Sequence, residues 1–127
     1  MNGSLIKSYR AAAVVAGYVI AKFAAPTTDT TVGIGTAGTD PLLGVGDSMG
    51  APQGGMLDVT VSGLAEVRLG GTVAAGDPIT AGAGGKGVKC APAAGTRAAY
   101  VAFALAPGVA DDIIPVNVSP GFITTPA

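Results

Sequence analysis

Glycine and proline recur so closely along this chain, 21 and 9 of them in 127 residues, that a helix of ordinary length has almost no room to form. Only residues 11–16 hold enough alanine and valine for a turn or two, and that stretch is β-branched and ends against Gly17. Between the turn residues lie short runs rich in Val, Ile, Thr and Leu at 31–35, 41–46, 57–62, 64–69, 87–90, 98–106 and 113–118. Short β-prone runs at such spacing, parted by Gly, Pro, Asp or Ser, predict an all-β fold, a small barrel or sandwich of antiparallel strands. Residues 57–62, LDVTVS, alternate as a strand with one wet face must, and Gly63 reads as the break before the next strand.

The densest glycine stretch, residues 67–90, could cradle a phosphate or simply turn a sheet. A phosphate loop needs Lys followed by Ser or Thr at a helix start, whereas Lys86 is followed by Gly87 and Val88. A dinucleotide reading of Gly82, Gly84 and Gly87 fails for want of a following helix, since Pro92 interrupts one. The glycines therefore read as topology. Gly76 permits a tight turn, Asp77 bonds its own backbone, Pro78 fixes the exit into a short strand, and residues 81–87 form a loose hairpin tip carrying Lys86.

Composition then limits chemistry. The length suits one domain. Hydrophobic residues are 49% of the chain but aromatics only 5%, so the core is built of Ala, Val, Leu and Ile. Charged residues are 12%, about half the usual share, and the net charge is -1. So little charge predicts apolar surface buried between subunits, and the scattered Lys and Arg make no basic face for nucleic acid. With no histidine, a Ser-His-Asp or Cys-His arrangement is excluded within the chain, and a zinc site would need carboxylates with the single Cys90. Cys90 lies in an apolar run and reads as a small buried hydrophobe, although Lys89 would favour a thiolate were it exposed. The eight acidic residues are dispersed, mostly beside Gly, Pro or Thr, where a short carboxylate bonds nearby amides. No catalytic residue, cofactor site or metal site is assigned.

The N-terminal segment has the outline of a secretory signal: basic Lys7 and Arg10, an apolar run from Ala11, and small residues at Ala24 and Ala25. Gly17, Tyr18 and Lys22 interrupt it, and the run is too short for a membrane span. The structural reading is an extended arm over 1–16, a single β domain over 17–118 with a first strand in 16–23, and a tail over 119–127. Leu5, Ile6, Lys7, Tyr9 and Arg10 combine apolar and basic side chains suited to lying along a partner, and are the candidate partner contacts.

The order Val59, Val61, Gly63, Ala65, Val67, then GGTVAAGDPITAGAGGKGVKC, then RAAYVAFALAPGVADDIIPVNVSPG resembles the decoration or cement proteins of tailed bacteriophage heads. The resemblance covers about residues 57–118, and Asp111-Asp112 departs from the single acidic residue of the usual closing segment. It implies a compact β protein with no enzymatic activity, bound as a homotrimer to the major capsid protein on the outside of an expanded capsid. Its role would be to bridge capsomers through many weak contacts, without nucleic acid, membrane or cofactor. Two alternatives stand beside it. One is an adhesive or carbohydrate-binding β module, for which the six aromatics, mostly in apolar strands, form a poor platform. The other is a biotinyl- or lipoyl-like carrier domain with Lys86 as the modified residue, although Gly85 and Gly87 are unlike the usual flanks.

Overall fold

The computed structural model describes residues 5–124, and the remainder of the predicted arm (1–4) and tail (125–127) lie outside the described residues. The fold is an antiparallel β-sheet curled into a half-barrel, with a single 3-10 turn at Ala83–Gly85 and no α-helix among the described residues. The strands are β1 (Leu5–Arg10), β2 (Ile20–Phe23), β3 (Val32–Ile34), β4 (Leu42–Gly46), β5 (Met56–Arg68), β6 (Pro78–Ala81), β7 (Gly87–Lys89), β8 (Arg97–Ala104) and β9 (Ile113–Thr124). Their order across the sheet is β3-β2-β4-β5-β9-β8-β6-β7, and β1 joins at β5.

β5 is the spine. Leu57, Val59 and Val67 point inward and are fully buried, as the alternation in the sequence requires. Gly63 does not end the strand. It takes φ +100 inside a continuous β5, a kink that passes the strand from one ladder to the next. On one side of that kink β1 pairs antiparallel with residues 56–62, and on the other β9 pairs with residues 63–68. Residues 59–60 carry β4 on one edge and β1 on the opposite one. In the sheet order β9 also lies across β5 from β4, so β1 and β9 lie end to end along one edge of β5.

The kink divides the interior into two clusters. Ile20, Val45, Leu69, Ile79, Val101 and Val116 lead the larger one, between β5 and the β6-β8-β9 half. Ala11, Val15, Val19, Val32, Leu57 and Val59 form the smaller, with Tyr9 and Phe23 packed on its rim. Residues 11–16 form no helical turn. Ala11 and Val15 are buried and make isolated bridges to Val32 and Ala51, because burying an alternating pair satisfies these side chains better than a lone exposed turn.

The far ends differ from the expected boundaries. Residues 119–124 are strand, pairing with β8 from Tyr100–Gly121 to Arg97–Thr124 after a register shift at Tyr100/Ala102. Having left β5 at Val118, this part of β9 forms a two-stranded ribbon with β8. The turn before β6 is as the sequence predicts: Gly76 has φ +90, the Ala74 amide donates to Asp77 Oδ2 at 2.9 Å, and β6 begins at Pro78.

Candidate functional site

The five candidate contacts all fall on β1, a strand docked along its own β5 rather than a free arm. Leu5 and Ile6 are 60% and 56% exposed, and Lys7 and Arg10 are exposed with them. Tyr9 differs. It is half-buried, its ring meets Phe23 edge-on at 5.7 Å, and the Lys7 ammonium sits 5.6 Å from its centroid, so Tyr9 fastens β1 to the smaller cluster.

The ladder geometry fixes which way the backbone of β1 faces. The Ala11 amide donates to the Gly55 carbonyl at 2.8 Å, which makes Tyr9–Leu57 and Lys7–Val59 the hydrogen-bonded pairs two and four residues earlier. The N–H and C=O groups of Ile6, Ser8 and Arg10 therefore point away from β5; past Arg10 that edge meets β3, where Ala11 bridges Val32 in parallel and the Ala12 amide donates to the Val32 carbonyl at 2.8 Å, whereas among the described residues no strand pairs with Ile6 and Ser8. The Ser8 hydroxyl donates to Asp58 Oδ1 at 2.5 Å and is not part of that edge.

A second surface was not legible in the sequence. The loop 38–42 and the β8-β9 ribbon enclose an open groove of about 770 Å³, lined by Leu42, Ala98, Tyr100, Pro120 and Phe122 with Arg97 at its rim. Phe122 is 64% exposed and the Arg97 guanidinium stacks 4.5 Å from its ring centroid. Asp40 organises the loop wall by accepting from the Thr36 amide at 2.9 Å and the Ala37 amide at 3.2 Å, with Lys22 3.5 Å away. The Thr36 amide first, and the Lys22 charge after it, hold the Asp40 carboxyl below the usual aspartate value against the opposing effect of burial.

The outer face of β5, β9 and β8 mixes exposed apolar side chains with Glu66 and Arg68, which share the Leu64 face of β5. Leu64, opposite Asn117 and so in line with Phe103, is 54% exposed, and Leu105 and Ile113 are exposed on the neighbouring rows.

The glycine stretch is braced, which the reading of a loose tip missed. Gly85 is buried with φ +76, and Lys86 Nζ lies 2.7 Å from Asp111 Oδ1 across the loop before β9. That contact lowers the Asp111 carboxyl, and Asp111 itself sits at φ +70, a left-handed position that aspartate tolerates.

Five of the acidic residues accept from local backbone amides: Asp29 from Thr31, Asp40 from Thr36, Asp47 from Gly50, Asp77 from Ala74 and Asp112 from Val109. Among the described residues no three His, Cys, Asp or Glu side chains gather where a metal ion could be held. Cys90 is buried, its Sγ lies 3.6 Å from the Ala99 carbonyl, and burial pushes its thiol up, away from the thiolate.

No family model matches the chain, and no curated protein sequence matches it. Its architecture is a curled antiparallel half-barrel. The solved structures that share it include the N base of the head fiber gp8.5 of bacteriophage phi29. The two superpose with a TM-score of 0.64 over 91% of this chain and 94% of that one, at 17% sequence identity. The likeness is one of fold, and its neighbour is a head fiber base rather than a cement protein.

Proposed function

We propose that this chain is a structural protein of a phage head that docks on the outside of the shell and performs no catalysis. The observation that carries this reading is the fold shared with a head fiber base along nearly the full length of both chains. The resemblance of residues 57–118 to decoration proteins supports it independently, because it rests on the order of turns and strands in the sequence. The chain's own surface is consistent with such a role: little charge overall, exposed apolar side chains at Leu64, Leu105 and Ile113 on one face, and short braced loops. On this reading copies associate as trimers through that outer face, and each trimer bridges neighbouring subunits of the major capsid protein by weak contacts that add through their linkage.

A second reading takes the fiber base literally, with the chain as a head-proximal pedestal for a projecting fiber. The two readings part on what the bound protein does to the head. Expanded and unexpanded heads purified without this chain are mixed with it and sedimented, and the expanded heads are then heated with and without it. Binding to expanded heads alone, with a raised disruption temperature, supports the cement role; binding with an unchanged disruption temperature supports the pedestal. Failure to co-sediment with either form overturns both.

A further inference from the structure

The geometry points to the outer edge of β1 as a docking edge for an extended, acidic segment of a partner protein, which adds as a strand beside Ile6 and Ser8 and ends at Arg10. Three observations carry it. The first is the backbone: the N–H and C=O groups of Ile6 and Ser8 face away from β5, and among the described residues no strand covers them before β3 takes up the edge at Ala11. Such a row is a template for one more strand. The second is apolar exposure, since Leu5 and Ile6 stand 60% and 56% open at one end of the edge. Charge alone would be enough to guard an edge, and a guarded edge has no use for exposed Leu and Ile.

The third observation selects the occupant. The three ion pairs among the described residues are Lys22–Asp40, Lys86–Asp111 and Lys89–Asp77, so Lys7 and Arg10 have no carboxylate partner. The nearby Asp58 is engaged by the Ser8 hydroxyl. A second copy pairing at this edge would bring two Lys7 and two Arg10 into one short ladder with no carboxylate on either strand, and like charges across strands destabilise it. An extended segment with Asp or Glu placed against Lys7 and Arg10, and apolar residues against Leu5 and Ile6, meets every group on offer. That the segment belongs to the shell rests on the reading above; that the edge accepts an acidic strand does not.

The test uses the full chain and two arms. In the first, an eight-residue peptide of Val carrying two Glu three residues apart, the spacing from Lys7 to Arg10, and its counterpart with Lys in place of Glu, are added in excess while amide exchange is followed. The Glu peptide is expected to slow exchange at Ile6, Ser8 and Arg10 by roughly tenfold or more, and the Lys peptide to leave it unchanged. Ser8→Pro deletes an outward amide without touching the β5 ladder and should abolish the effect at Ile6 and Arg10. Ser8→Ala, which loses only the Asp58 contact, should keep it. Lys7→Glu with Arg10→Glu should exchange the two peptides' behaviour.

Equal effects of the two peptides, no effect of either, or protection that rises with protein concentration alone overturns the proposal, the last by making a second copy the occupant. In the second arm wild type, Ser8→Ala and Ser8→Pro are sedimented with expanded heads. Retention of wild type and Ser8→Ala with loss of Ser8→Pro is expected. Equal retention of all three overturns the edge while leaving shell binding in place. Loss of all three overturns shell binding, and the peptide arm then decides the edge by itself.

Discussion

At the scale of the residue, Gly85 is where sequence, backbone and packing meet most tightly. A Cβ placed there would clash with Ile34 Cγ2 and lie 3.0 Å from Val19 Cβ, on a backbone at φ +76. Gly84, at φ +69, has nothing within 4 Å of the same position. Gly84→Ala should therefore cost only left-handed strain, about 1–2 kcal/mol. Gly85→Ala adds overpacking to the same strain and should cost about 2–4 kcal/mol in denaturant titrations. Lys86 belongs to the same brace. Lys86→Ala should destabilise slightly in low salt and less in high salt, as an exposed ion pair does, and Asp111→Asn should show the same salt dependence. Tyr9 and Leu5 give a parallel contrast on β1. Tyr9→Ala removes a ring packed on Phe23 and should cost about 1–3 kcal/mol, whereas Leu5→Ala should fall within about 0.5 kcal/mol. The Gly76-Asp77-Pro78 turn was legible because each residue acts through its own backbone. Gly85 was not, because what it must avoid, Ile34 and Val19, lies more than fifty residues earlier in the chain.

At the scale of the element, alternation made most strands visible, and what stayed hidden were the places where pairing overrides a turn signal. Gly63 and Ser119-Pro120-Gly121 both look like ends, yet β5 and β9 run through them. Continuous partners on β1 and β9 carry β5 through its kink, and β8 holds β9 past Pro120. The groove escaped notice for the same reason, being assembled from 38–42, 97–100 and 120–122, which no local pattern connects. Its loop wall gives a prediction in pH. Because the Asp40 carboxyl is held below its ordinary 3.8, the ionised form is favoured by folding. Its stabilising contribution is complete above 3.8 and is lost as pH falls through the lowered value. The thermal midpoint should hold steady down to that range and then fall. Asp40→Asn should start lower at neutral pH and show a shallower acid fall, with exchange at the Thr36 and Ala37 amides faster throughout.

At the scale of the whole molecule, the pairings that close the half-barrel join distant parts of the chain: Ile6 with Thr60, Val67 with Ile114, and Leu69 with Gly87. The β class followed from the punctuation of the sequence, but this connectivity did not, since each short run could pair with several others and only the two shared clusters select among them. The curled sheet leaves one face on those clusters and turns the other outward, where Leu64, Leu105 and Ile113 stand exposed along adjacent rows. Glu66 and Arg68 share that face, one charge of each sign, so it carries no net charge to keep copies apart. If trimers form there, sedimentation velocity of the wild type should shift toward the three-chain species as loading concentration rises. Leu64→Glu puts a carboxylate at the centre of the face without disturbing either core cluster, and should hold the protein at one chain over the same range with its thermal midpoint nearly unchanged. Trimers that survive Leu64→Glu would move the contact to another surface, the Phe122 groove first. A wild type that stays a single chain at every concentration would overturn association through this face in solution.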